Sequence, residues 1–250
     1  MTDDEGNRPT EQTISPASIS SAAAVGTLTF AMRAVLSPYH LQAAELFVRQ
    51  SSELEDKHVG DPWVEIVDTV FPEHRAYVIG AIFAAVAFLE ASINELFSDA
   101  VDVRQRSEER FGERITAKLA EKWDKDNFRC RKPILAKYQT ALPLFEKARF
   151  DEKQQPYQDA RHLIELRNEL VHYKPQFIQA GLEGAGPMVH LRSKFAANRL
   201  LPERSQNPFF PDHCLSSGCA AWAVKASKAL YDEFTTRMGL RNPQGTSGEM

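Results

Sequence analysis

An all-α fold is predicted by three observations. Apolar residues recur at helical spacing in most of the segments between turn signals. The stretch from about residue 73 to 103 is apolar all round in its middle, which suits the central helix of a bundle. Prolines stand mainly at segment ends, where a helix starts or stops. The expected layout is a disordered tail over residues 1–25, a single helical domain over 26–240 with an irregular loop insertion before its last helix, and a flexible tail over 241–250.

Residues 1 to about 24 are rich in Ser, Thr, Pro, Asp and Glu, a composition that favours disorder. Gly26 to Arg33 has strand character, soon interrupted by Pro38, and reads as a short edge strand or an extended arm. From His40 to about Asp56, Leu41, Ala44, Leu46, Phe47 and Leu54 mark a helix, and Gly60-Asp61-Pro62 a turn. Trp63 to Val70 is short and amphipathic. Pro72-Glu73 opens the longest helix, about 73–103. Phe111, Ile115, Leu119 and Trp123 fall at four-residue steps and predict one helix over about 108–126. Pro133 starts the next, with Ile134, Leu135, Tyr138, Leu142 and Phe145 on its stripe and Pro143 placed to kink or end it. A further helix runs from Pro156 to Tyr173 and is closed by Pro175. Residues 175–211 hold five prolines and three glycines and read as a long excursion. The last helix spans about 215–238, with Trp222, Ala226, Leu230 and Phe234 on one face.

Composition excludes several classes. The hydrophobic fraction, 43%, is enough for a sizeable core, and the net charge of −4 argues against a bulk nucleic-acid binder. It leaves room for a local basic patch. Cys130, Cys214 and Cys219 make no disulfide framework, and an acidic N-terminus is unlike a signal peptide. The longest apolar run, Val78 to Leu89, is too short to span a bilayer. A cytoplasmic protein without membrane association is expected. Phosphate-loop, zinc-protease, hydrolase-elbow and Cys-x-x-Cys signatures are missing, and no cofactor is expected. Gly181 to Gly186 has the wrong order for a dinucleotide loop. His213, Cys214 and Cys219 lack a fourth ligand, so no metal site is assigned. His162 and His190 have no neighbours in sequence that suggest catalysis.

One constellation carries chemistry. Leu166-Arg167-Asn168-Glu169-Leu170-Val171-His172-Tyr173-Lys174-Pro175 places an Arg and a His five residues apart near a helix end. Asn168 and His172 are i and i+4, on one face. Upstream, Phe88-Leu89-Glu90-Ala91-Ser92-Ile93-Asn94-Glu95-Leu96-Phe97 carries Glu90 and Asn94, also i and i+4, inside the long helix. A carboxylate buried there would need a donor, so Glu90 is expected to pair with Arg167 or Asn168.

These two segments resemble the HEPN family over about residues 73–175. The resemblance implies an up-and-down helical bundle, a homodimer, and RNA cut without metal by the motif's Arg and His. Those are Arg167 and His172 here, with Asn168 as the accompanying polar residue and Glu90 and Asn94 as support. A histidine near neutral pKa can take a proton from a 2′-hydroxyl or give one to the 5′-oxygen. An arginine can hold the charge of the phosphorane. The product would be a 2′,3′-cyclic phosphate. Lys174, Arg192, Lys194 and Arg199 are the candidate RNA-binding residues, the last three standing in the sequence with Arg204 around Phe195.

Three plainer readings stand beside this one. Arg167 and His172 can serve only to cap the helix, Glu90 can be a surface carboxylate on a bent helix end, and the cations at 192–204 can be a solvated surface. The functional expectation is an endoribonuclease, as in a toxin or phage-defence effector. The alternative is a non-catalytic HEPN-like binding or adaptor module. An antitoxin or a nucleotidyltransferase would be the protein partner of a toxin pair.

Overall fold

The computed structural model describes residues 33–175, 187–202 and 205–240. The expected N-terminal tail and arm lie outside these, apart from Arg33, as do Gly181 to Gly186, Arg204 and the C-terminal tail. The chain divides into two units, Met1–Ala34 and Val35–Met250; of the first, only Arg33 and Ala34 are described.

The second unit is an all-α bundle of eight helices among the described residues: α1 (Ser37–His58), α2 (Trp63–Ile66), α3 (Val70–Asp102), α4 (Arg104–Phe111), α5 (Glu113–Trp123), α6 (Ile134–Leu144), α7 (Tyr157–Val171) and α8 (Ser217–Arg237). Short helical turns lie at Asn127–Arg131, Val189–Leu191 and Phe209–His213. The 33 residues of α3 form the axis, and α1 and α4 to α8 all pack against it. Val78, Ile82, Ala85, Leu89, Ile93 and Phe97 are fully enclosed. By length and composition α3 could also cross a membrane; in this fold 44% of its most apolar stretch is buried inside the protein. It begins at Val70, earlier than its sequence suggests, because Pro72 falls in the first turn, where no backbone N–H is needed.

The segment expected as one helix over 108–126 is two. Gly112, at φ 81° and ψ 155°, separates α4 from α5 in a backbone region essentially reserved for glycine. The excursion is more ordered in its described parts than its prolines suggest. Leu200 and Leu201 join Ile66 and Phe71 in a small second core, and Phe195 stacks near Trp222 with ring centroids 5.5 Å apart. The amide of Asn198 donates to the Leu215 carbonyl at 3.0 Å.

Two carboxylates close helix ends from a distance. α1 has no side-chain cap of its own; Glu95, on α3, accepts the N–H groups of Leu36 and Ser37 at 3.0 and 2.9 Å. Glu55, on α1, is only 1% exposed and accepts the N–H and hydroxyl of Ser217 at the start of α8, at 2.8 and 2.7 Å. Arg199 Nε donates to the same carboxylate at 3.0 Å. The buried His74 brings Nε2 to 2.9 Å, at an angle short of a linear hydrogen bond. Burial is the largest single influence on Glu55 and would raise its pKa. Contacts from His74, Ser217 and Arg199 outweigh it and hold the pKa below the ordinary 4.5.

Two outcomes follow for stability. A Cβ at residue 112 would meet no neighbouring atom, so Gly112→Ala carries only the backbone strain. Urea unfolding should register a loss of about 1–3 kcal/mol. Glu55→Gln should cost about 3–5 kcal/mol, because its amide places a donor among donors. With its folded pKa depressed, Glu55 stabilises the native state above the unfolded value and loses that contribution as pH falls through the folded value. The acid limb of the stability profile should therefore flatten in Glu55→Gln.

Candidate functional site

Helix α7 buries one face through Tyr157, Ala160, Leu163 and Leu166, and this face fixes how the motif is presented. The helix stops at Val171. His172 accepts no further turn: its φ of −104° and ψ of 22° lie outside helical values, while its N–H still donates to the Asn168 carbonyl at 2.9 Å. The Pro175 ring three residues on prevents continuation.

The ending leaves His172 exposed beside a surface concavity of about 460 Å³, lined by Glu169, His172, Lys174 and Pro187. Arg167 is half-buried, and its Nε is enclosed without a hydrogen-bond partner. On a continuous α-helix two positions five apart leave the axis about 140° and about 7.5 Å apart. Asn168 is exposed.

The support expected from α3 is not delivered to α7. Glu90 is exposed and makes no hydrogen bond or ion pair with Arg167 or Asn168 among the described residues. Ala76, Phe83 and Glu90 are exposed at seven-residue steps, a solvent stripe along a helix that reads as apolar all round. A carboxylate on that stripe is hydrated and needs no partner. Asn94 serves another element: its side-chain oxygen accepts from Lys137 Nζ at 2.7 Å. Lys137, on α6, is 2% exposed, donates also to the Arg129 carbonyl at 3.0 Å, and lies over the Trp123 ring. Burial lowers its pKa, against the opposing charge of Glu90.

The candidate RNA-binding cations divide. Lys174 is exposed at the concavity and has no ion-pair partner among the described residues. Arg192 is exposed and lies over the Phe209 ring, 5.2 Å from its centroid. Lys194 is committed to Asp159 at 2.9 Å, and Arg199 to Glu55 and Asp56. Phe195 is half-buried and packs against Trp222 at the edge of the core. The reason lies in charge balance: the excursion returns its cations to acidic positions on α1 and α7 that sequence distance conceals.

A second group also lay out of sight. His162, Glu165 and His190 bring one donor atom each to within 4.8 Å of one another. His162 and His190, without suggestive neighbours in sequence, are thus brought together by the fold, and two members of the group lie on α7 itself. The i, i+3 spacing of His162 and Glu165 was legible; the arrival of His190 was not. His213, Cys214 and Cys219 form no such group among the described residues, and both cysteines are buried.

Compared with protein-family models, curated proteins and solved structures, the chain finds no match.

The division of the cations is measurable. Arg199→Ala should lower stability by about 1 kcal/mol, the half-exposed guanidinium being partly screened. Lys174→Ala should stay within about 0.5 kcal/mol of the parent. Equal urea midpoints for the two variants would contradict the assignment.

Proposed function

We propose that this chain is a metal-independent endoribonuclease of the HEPN-like kind, acting as a cytoplasmic homodimer and leaving 2′,3′-cyclic phosphate ends. The observation that carries the reading is the end of α7. A histidine stands exposed at a concavity beside Lys174, and an arginine of the same helix has an enclosed, unsatisfied donor. An unpaired guanidinium N–H is a group still able to take an anionic partner.

His172 would move the proton, taking it from the 2′-hydroxyl or delivering it to the 5′-oxygen. Arg167 would stabilise the charge on the phosphorane. Asn168, exposed one residue from Arg167, would orient the strand. Lys174 and Arg192 are the cations that remain to hold the backbone. Because positions five apart on a continuous helix diverge by about 140°, the working site is proposed to combine helix ends from two chains about a two-fold axis. A toxin or phage-defence role, restrained by an antitoxin or a nucleotidyltransferase, is the biological setting that the motif suggests.

A second reading has its own observation. Lys194 and Arg199 are neutralised within the chain, and the net charge is −4. This favours a HEPN-like binding or adaptor module without catalysis.

The two readings separate in one assay. The parent protein should cleave single-stranded RNA in EDTA, with cyclic phosphate at the new ends. Arg167→Ala and His172→Ala should each lose about 10²–10⁴-fold in rate. Mixing the two inactive chains should restore part of the activity. Cleavage at full rate by a monomer would overturn the composite site. RNA binding without cleavage would establish the module.

A further inference from the structure

His162 and Glu165 lie on one face of α7, and His190 is brought over them by the helical turn Val189–Leu191. That turn is anchored by Leu191, which is fully buried, so the position of His190 is set by packing. The two imidazole rings face each other with centroids 4.6 Å apart, tilted by 58°. His190 Nε2 is 4.0 Å from the Glu165 carboxylate, too far for a hydrogen bond. Nδ1 of His162 is enclosed by protein and has no hydrogen-bond partner. A buried ring nitrogen without a partner, beside a second imidazole and a carboxylate, is an incomplete set of interactions.

We propose that His162, Glu165 and His190 bind a divalent transition-metal ion of the zinc type, which clasps residues 187–202 onto α7. Two imidazole nitrogens and one carboxylate oxygen are a donor set suited to zinc, with water in the remaining position. Donor atoms around tetrahedral zinc stand roughly 3.3 Å apart, given bonds of about 2.0–2.1 Å. The present separations are up to 4.8 Å, so binding requires the three side chains to draw together. Glu165 and His190 are about half exposed, which gives an ion a path in.

The surrounding charges act in both directions. Arg161, 3.7 Å from Glu165, opposes a cation, and Lys194, paired with Asp159, is partly neutralised. Burial first, and then the facing His190, lower the pKa of His162 and favour the neutral imidazole, the form that ligates a metal. Glu165 pulls the other way.

The site uses none of Arg167, Asn168 and His172, and its test does not use RNA. Protein stripped with EDTA and returned to chelator-free buffer is titrated with zinc chloride by calorimetry, and with cobalt(II) followed by visible absorption. We expect one ion per chain, a rise of several degrees in melting temperature, and affinity that falls with acid as the imidazoles protonate. His162→Ala, His190→Ala and Glu165→Gln should each weaken binding at least about tenfold. His58→Ala, at a surface His–Asp pair, should not. His190 is 43% exposed, so its replacement keeps the fold even where His162→Ala does not; circular dichroism checks both. Absence of zinc and cobalt binding, or binding undiminished in His190→Ala, would overturn the proposal.

Discussion

Glu55 sits where α1, α3, the start of α8 and the excursion meet, with almost no access to water. A carboxylate in that position has a large desolvation cost, offset only if every lone pair finds a donor. The groups that meet it come from different parts of the chain: the donors Ser217 and Arg199 lie 162 and 144 residues away, and His74, in close contact, 19. The result is specification as much as stability. The docking of α8 on α1 puts the Ser217 N–H against Glu55, and the excursion brings Arg199 to the same carboxylate. Glu95 does the same at the other end of α1, through Leu36 and Ser37. Helix α1 is therefore fixed at both ends by acidic residues serving as caps across elements. Such caps use the same backbone donors as a local Ser or Asp.

The helical class was legible because the buried positions repeat with helical period. Val78, Ile82, Ala85, Leu89 and Ile93 trace the core face of α3, and Trp222, Ala226, Leu230 and Phe234 that of α8. Pattern reading failed where one residue outweighed a period. Gly112 interrupts a stripe that continues in register through Phe111, Ile115 and Leu119, so periodicity alone runs through the break. On α1, Leu46 is largely exposed while Glu55 is buried, the reverse of what hydropathy assigns. The hydrogen-bond partners that reverse it are too distant in sequence for any local pattern to show.

The candidate site was legible in part for the same reason. Local spacing correctly set Arg167, Asn168 and His172 at the close of a helix, because Pro175 and the helical stripe are local facts. The pairing of Glu90 with them depended on the carboxylate being buried in an apolar helix. The stripe of Ala76, Phe83 and Glu90 shows otherwise. The excursion was the least readable part. It carries His190, Lys194 and Arg199 to carboxylates on α7 and α1, and nothing in its own sequence names those destinations. One helix, α7, thus carries two proposed sites, and one of them depends on His190 from the excursion.

Lys137 has a consequence for how this sequence can drift. Its ammonium is enclosed between the Asn94 oxygen and the Arg129 carbonyl, with the Trp123 ring nearby. That slot offers a compact charge two acceptors. A guanidinium is planar, wider, and carries five N–H donors in a fixed fork, most of which would be enclosed and unanswered. Lysine-to-arginine exchange, commonplace on surfaces, is barred at this position unless Asn94 or the Asn127–Arg131 turn changes with it. Positions 94 and 137 are therefore coupled: among relatives that keep this packing, they should vary together or stay fixed together.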